Sequence, residues 1–215
     1  MYVKDPLAHS FAAHADAVVV SVEYRLAPEH PYPAGVEDAY VALQWAADNA
    51  AALLRADASR LCVAGVSAGG LVAAVLAQLA RDRRGPKLFG QVLMVPMLTP
   101  AMTASKLAFY DEHQGLSNKE IAWMWQMYIG SAPANAHGCT ADARCSPLAQ
   151  TDLAGLPPAF VALGKRDILY AEGAEYAQRL RAAGVRVDVL EMRGSHFAMA
   201  FEDSRCARRA LTRSD

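Results

Sequence analysis

This sequence of 215 residues has almost no net charge, no long apolar run and only four cysteines. Its 21 basic and 22 acidic residues are interleaved, so no basic face predicts nucleic-acid binding. No apolar run reaches the ~18 residues that a membrane-spanning helix needs. A charge and a proline close to Met1 interrupt any secretory signal pattern. We therefore expect a cytoplasmic protein with no nucleic-acid or membrane partner.

The four cysteines do not have the spacing of metal ligands. Cys62 lies in an apolar run, which predicts a buried thiol, and Cys206 lies in a charged stretch. Cys139 and Cys145 flank a short polar loop and could form a disulfide, but a reducing compartment disfavours one. No ligand cluster or glycine-rich nucleotide-binding pattern is present, so we expect no metal and no cofactor.

Strand-like and helix-like patterns alternate along the chain. Short apolar runs predict strands at Val18–Val22, Leu61–Gly65, Gln91–Pro96, Pro158–Gly164 and Val185–Leu190. Helical periodicity predicts helices from about Val36 to Ala47, Gly69 to Arg81, Asn118 to Tyr128, Glu172 to Ala183 and Phe197 to Leu211. This alternation predicts an α/β fold with a mostly parallel sheet and helices on both faces.

We expect a single domain over residues 1–215, with one irregular stretch from about Pro100 to Ser146. That stretch, called the covering segment below, is too long for an ordinary loop. We expect it to carry its own helix, with Ser117 as the N-cap, and to cover part of the domain.

A nucleophile motif lies between the second predicted strand and the helix that follows it. Gly65-Val66-Ser67-Ala68-Gly69 matches G-x-S-x-G, in the strand-turn-helix setting that the motif requires. The sharp turn exposes Ser67, the two glycines leave room for it, and the Ala68 N–H can stabilise an oxyanion. The alternative is a glycine-rich turn that carries a bystander serine.

A serine nucleophile needs a base, and the base needs a carboxylate that orients it. Asp167 follows the fourth predicted strand, and His196 follows the fifth. Because the carboxyl ends of parallel strands meet at one edge of a sheet, we expect both side chains to converge on Ser67. The alternatives are a helix-capping aspartate and a surface-loop histidine.

Four segments together resemble the bacterial branch of the hormone-sensitive-lipase-like esterases, within the α/β-hydrolase superfamily. The segments are Val20–His30, Gly65–Gly70, Leu156–Ala159 with Asp167–Leu169 and Glu172–Gly173, and Gly194–Phe197. They resemble that family's Y-R-L-A-P-E block, nucleophile elbow, acid region and histidine loop. The resemblance implies an α/β-hydrolase fold, the triad Ser67, Asp167 and His196, and structural roles for Arg25 and Glu29.

Three features depart from the family pattern. Val66 replaces the usual aspartate of the elbow, and the loop of His196 is one residue short. The H-G-G-G oxyanion motif is absent, which implies that the N-terminal strands of the fold are missing. Losing one oxyanion donor typically costs about 2.7–4 kcal/mol of transition-state stabilisation. Missing strands would also expose a sheet edge, which favours a homo-oligomer.

We expect hydrolysis of short-chain carboxylic esters through an acyl-enzyme, with a small-molecule ester as substrate. Trp123, Trp125 and Tyr128 lie in the covering segment. The resemblance suggests that some of these rings line an acyl pocket, whereas the plainer alternative is a helix packed on the core. Two other functions stay open, a catalytically impaired fragment and a non-catalytic ligand-binding relative. An amide, formamide or peptide substrate would use the same triad.

Overall fold

The computed structural model describes residues 6–108, 116–130 and 138–196. The helices are α1 (Pro6–Ala15), α2 (Ala34–Asn49), α3 (Ala68–Asp82), α4 (Ala104–Ala108), α5 (Asn118–Ile129) and α6 (Tyr170–Ala182). The strands are β1 (Cys62–Val66), β2 (Gly90–Met94), β3 (Ala159–Gly164) and β4 (Val187–Met192). None of the described helices is long and apolar enough to cross a membrane.

The four strands form one parallel sheet in the order β1-β2-β3-β4. Val63 lies opposite Gln91, and Val161 lies opposite Leu93. Helix α3 joins β1 to β2, and α6 joins β3 to β4, so all four strands end at the same edge. This arrangement confirms the predicted α/β fold and places one loop cluster at the carboxyl edge.

The two faces of the sheet are covered by different helices. On one face, α3 packs on β1 and β2, α2 packs on α3, and α6 packs on β3 and β4. Every residue from Gly70 to Ala80 is buried, because the alanine-rich α3 lies close to the sheet. On the other face, Phe11 of α1 contacts a cluster that includes Met94 and Phe160.

Helix and strand ends agree closely with the sequence patterns inside the described ranges. Ser117 caps α5 with a capping box, in which its hydroxyl accepts from the Glu120 N–H and the Glu120 carboxylate accepts from the Ser117 N–H. Gly184 follows α6 at a φ of 81°, a conformation that favours glycine. The helix predicted from Phe197 to Leu211 lies outside the described residues.

The strand predicted at Val18–Val22 is wrong. These residues pair with none of the four described strands, and Val18, Val19 and Val20 are exposed. A strand is defined by the backbone hydrogen bonds of a neighbour, which an apolar run cannot supply alone. The apolar pattern alone therefore did not predict whether these residues belong to the described sheet.

The expectation of no disulfide is also wrong. Cys139 and Cys145 form a disulfide, with their Cα atoms 5.1 Å apart. A helical turn at 138–141 brings the two residues into the normal range for a bridge, and an argument from redox compartment ignores that local geometry. The predicted buried thiol, Cys62, is partly buried and unbridged, and Cys206 lies outside the described residues.

Candidate active site

Ser67 occupies a strained turn between β1 and α3. Its backbone has φ 57° and ψ −118°, a region that residues other than glycine rarely adopt. The Ser67 N–H donates to the Met94 carbonyl at 2.9 Å, and the Met97 N–H donates to the Ser67 carbonyl at 3.2 Å. These bonds hold the turn against the loop that follows β2.

The two glycines of the motif have unequal roles. A Cβ on Gly65 would lie 2.1 Å from the carbonyl oxygen of Gly69, far inside van der Waals contact. A Cβ on Gly69 would meet no atom within 4 Å among the described residues. The expectation that both glycines make room for the turn therefore holds for Gly65 and fails for Gly69.

The structure brings Ser67, His196 and Asp167 into one chain of hydrogen bonds. His196 Nε2 lies 3.0 Å from Ser67 Oγ, and His196 Nδ1 lies 2.8 Å from Asp167 Oδ2. His196 is 5% exposed and Asp167 is 3% exposed, whereas Ser67 is only half-buried. The serine is thus the member of the three that is open to a substrate.

The parallel sheet explains why these distant residues meet. Ser67 follows β1, Asp167 follows β3 and His196 follows β4, all at the carboxyl edge. The Asp167 N–H donates to the Gly164 carbonyl at 3.0 Å, and its Oδ1 accepts from the Leu169 N–H at 3.0 Å. One Asp167 carboxylate oxygen therefore holds the turn before α6, and the other contacts His196. The N-cap of α6 is Leu169, so the helix-capping alternative for Asp167 does not hold.

Ala68 is the first residue of α3, directly after Ser67. The first N–H groups of a helix have no partner inside the helix, and the helix dipole places partial positive charge there. This position suits the backbone N–H of Ala68 to an oxyanion that forms beside Ser67.

The aromatic residues of the covering segment are placed differently from one another. Trp125 is 2% exposed and belongs to the main core, which supports the plainer alternative for this ring. Tyr128 packs edge-on against Trp125 and tilted against Tyr32, with ring centroids 5.6 Å apart in each pair. Trp123 is exposed. A substrate contact by Trp123 or Tyr128 stays a prediction.

A buried ion pair lies near Asp167, and the sequence patterns did not predict it. Lys106 is 1% exposed and Glu172 is 4% exposed, and the Lys106 ammonium contacts the Glu172 carboxylate. Burial raises the pKa of the Glu172 carboxyl, while the Lys106 charge opposes that rise. Glu172 lay in a matched segment, but nothing in the sequence marks Lys106 as different from a surface lysine.

Metal ligation has no visible basis in the part of the chain that the structure describes. There, no group of three or more histidine, cysteine, aspartate or glutamate side chains could hold a metal ion. The arrangement that is present is a hydroxyl, an imidazole and a carboxylate in series, which can move a proton from serine to histidine.

Comparison with known proteins gives consistent matches. The model of a family described as having the α/β-hydrolase fold matches residues 1–200. Carboxylesterase NlhH of Mycobacterium tuberculosis is 43% identical over 185 residues, which cover 86% of this chain and 57% of the relative. Ethyl acetate hydrolase of Pseudomonas putida is 34% identical over 193 residues, covering 88% and 58%. This chain therefore spans little more than half the length of these relatives.

Solved structures agree with the sequence matches. A bacterial heroin esterase superposes with a TM-score of 0.87 at 34% identity, covering 97% of this chain and 67% of that one. An esterase from Pyrobaculum calidifontis superposes with a TM-score of 0.83 at 38% identity, covering 96% and 68%. With the family match over residues 1–200, these likenesses show that the chain belongs to the α/β-hydrolase fold family, in its hormone-sensitive-lipase-like branch.

Proposed function

We propose that this chain is a serine carboxylesterase that hydrolyses short-chain carboxylic esters. The observation that carries the proposal is the hydrogen-bonded series from Ser67 Oγ through His196 to Asp167 Oδ2, with distances of 3.0 and 2.8 Å. Both distances lie within the range over which a serine, a general base and its orienting carboxylate cooperate.

In the proposed reaction, His196 Nε2 accepts the Ser67 hydroxyl proton while Ser67 Oγ attacks the ester carbonyl carbon. The carbonyl oxygen becomes an oxyanion, which the Ala68 N–H stabilises. The tetrahedral intermediate then collapses, and His196 returns the proton to the departing alcohol. An acyl-enzyme on Ser67 remains.

Water completes the cycle in the reverse roles. His196 takes a proton from water, the hydroxide attacks the acyl carbon, and the proton returns to Ser67 Oγ as the acid leaves. Asp167 keeps His196 in the tautomer with hydrogen on Nδ1 and stabilises the imidazolium. Because Asp167 Oδ1 is held by the Leu169 N–H, the carboxylate has one fixed orientation towards the ring.

The names of the relatives support the choice of substrate class. One is named a carboxylesterase and another an ethyl acetate hydrolase, the latter for an ester with a two-carbon acyl group. Trp125 is buried in the core, which supports the plainer alternative for this ring. We therefore propose small esters on the basis of these relatives and the triad rather than of a described pocket.

The proposal is tested by assaying the protein with p-nitrophenyl acetate and p-nitrophenyl butyrate beside Ser67→Ala. We expect hydrolysis that depends on Ser67, with the acetate and butyrate both accepted. Equal rates for the two proteins would overturn the proposal.

A fluorophosphonate probe tests the nucleophile separately, because it needs only an activated serine. We expect one adduct, located on Ser67 by mass spectrometry, and no adduct in Ser67→Ala. A protein that binds esters without turnover and resists the probe would instead support the ligand-binding alternative.

A further inference from the structure

A buried salt bridge connects the covering segment to the element that follows Asp167. Lys106 lies in α4, and Glu172 lies in the first turn of α6, 66 positions later in the chain. Both side chains are almost completely buried, and the ammonium of one contacts the carboxylate of the other. Neither residue belongs to the proposed triad.

The pair is also bonded to the loop that follows β2. Glu172 Oε1 accepts from the Leu98 N–H at 2.6 Å, and Lys106 Nζ donates to the Thr99 carbonyl at 2.8 Å. The Leu98 carbonyl in turn accepts from the Ser146 hydroxyl at 3.1 Å. Two ends of the covering segment and the start of α6 therefore meet at one pair of adjacent residues, Leu98 and Thr99.

The same first turn of α6 orients the proposed acid. The Asp167 carbonyl accepts from the Tyr170 N–H at 3.0 Å, and the Gly173 N–H donates to the Leu169 carbonyl at 3.1 Å. A displacement of Glu172 would therefore move the backbone that holds the Asp167 carboxylate. The negative charge of Asp167 also acts on Glu172, in the direction that raises the Glu172 pKa.

Stability alone does not account for such a pair. Replacing a buried ion pair by apolar side chains of similar volume is often neutral or stabilising, whereas removing one partner strands a buried charge. Lys106 and Glu172 join three segments beside Asp167. This arrangement is better explained by the fixed position that the pair imposes on those segments.

We propose that Lys106 and Glu172 are positioning residues. They hold the covering segment against the turn that joins Asp167 to α6, so that Asp167 keeps His196 within reach of Ser67. This inference rests on the proposed esterase function. In this inference, the Lys106–Glu172 pair affects the reaction only through the position of Asp167, and it does not contact the substrate.

The central test is the double variant Lys106→Met/Glu172→Gln. It removes both charges without stranding either, and the glutamine oxygen can still accept from Leu98. We expect a melting temperature close to that of the parent, a kcat lowered roughly tenfold to a hundredfold, and little change in KM, because a displacement of about 1 Å costs about that much. The matched control is Glu37→Gln, which breaks the exposed Arg83–Glu37 pair and should leave kcat unchanged.

A spectroscopic readout follows the acid directly. We expect the His196 Nδ1 proton, hydrogen-bonded to Asp167, to give a strongly downfield proton resonance that Asp167→Asn abolishes. We expect this resonance to shift or broaden in the double variant and to be unchanged in Glu37→Gln. The charge-conserving variant Lys106→Arg/Glu172→Asp, which can re-form an ion pair, should recover most of the lost kcat.

Parental kcat with an unchanged resonance in Lys106→Met/Glu172→Gln would overturn the inference. So would a higher KM at constant kcat, because that result would place the pair in substrate binding. If the double variant does not fold, a folded Lys106→Arg/Glu172→Asp protein whose kcat is more than about tenfold below that of the parent would also overturn it. Equal hydrolysis by the parent and Ser67→Ala would instead defeat the esterase proposal, while the resonance would still report on the pair.

Discussion

Replacing Gly65 by alanine should disable the elbow, whereas the same change at Gly69 should not. The new Cβ at position 65 would lie 2.1 Å from the Gly69 oxygen, 2.2 Å from its carbonyl carbon and 2.8 Å from the Gly70 nitrogen. All three are backbone atoms, so no side-chain rotation can relieve the contact. Strand β1 and helix α3 must therefore move apart.

The size of that movement follows from the distances. A carbon next to a carbonyl oxygen normally lies about 3.3 Å away, so the backbone must separate by about 1.2 Å. Ser67 lies between the two glycines and would move with them, away from a His196 Nε2 that is now 3.0 Å from its Oγ. A misplacement of about 1 Å costs roughly 100-fold in rate, and overpacking of this kind costs about 1–3 kcal/mol of stability.

The assay compares kcat/KM for p-nitrophenyl butyrate in the parent, Gly65→Ala and Gly69→Ala, with thermal unfolding of each. For Gly69→Ala we expect near-parental activity and equal or higher stability, because alanine in a helix is favoured over glycine by up to about 1 kcal/mol. Undiminished kcat/KM in folded Gly65→Ala would refute the reasoning. An equal loss in both variants would refute it too, because only one of the two sites is crowded.

Three further predictions concern the acid, the disulfide and a surface ion pair. Asp167→Asn should lower kcat by roughly 10,000-fold while the protein stays folded, because the amide favours the wrong imidazole tautomer. Steady-state rates and rates of fluorophosphonate labelling would check this. A loss below tenfold would contradict it. Replacing Cys139 and Cys145 by serine should reduce the free energy of unfolding by roughly 2 kcal/mol, the chain-entropy value for so short a loop, as measured by urea unfolding; equal stability would contradict it. Hydrogen bonds from Arg25 lower the pKa of Asp38 from 3.8 to about 2. The contribution of these hydrogen bonds to the free energy of unfolding is therefore present above pH about 4 and is lost as the pH falls towards 2. Asp38→Asn should therefore reduce the acid-induced loss of stability between these pH values. An unchanged pH dependence would contradict the assignment.

Local patterns were informative wherever short-range chemistry decides the outcome. The motif around Ser67 predicted a strand, a sharp turn and a helix, and the structure has all three. The capping role of Ser117 was legible because a capping box is completed within four residues. The convergence of Asp167 and His196 on Ser67 was predictable as well, because parallel strands end at a common edge whatever the details of their packing.

Such local patterns did not predict contacts between residues that are distant in the chain. The Val18–Val22 run has the composition of a buried strand, yet no described strand lies beside it. Trp125 could equally have lined a pocket or filled the core, and only the packing of α5 decided for the core. No local pattern around Lys106 predicts that Glu172, 66 positions later in the chain, lies against it.

The sequence by itself determined the four strands of the sheet, helices α2, α3, α5 and α6, the nucleophile turn and the three residues that could form a triad. These features follow from periodicity, turn chemistry and strand ends. Tertiary structure alone decided which neighbour each segment has. It placed Lys106 on Glu172, joined Cys139 to Cys145 and left no room for a Cβ at Gly65, whereas a Cβ at Gly69 would meet no other segment among the described residues. The physical reason is that burial, ion pairing and close contact depend on distances between segments, which no local pattern encodes.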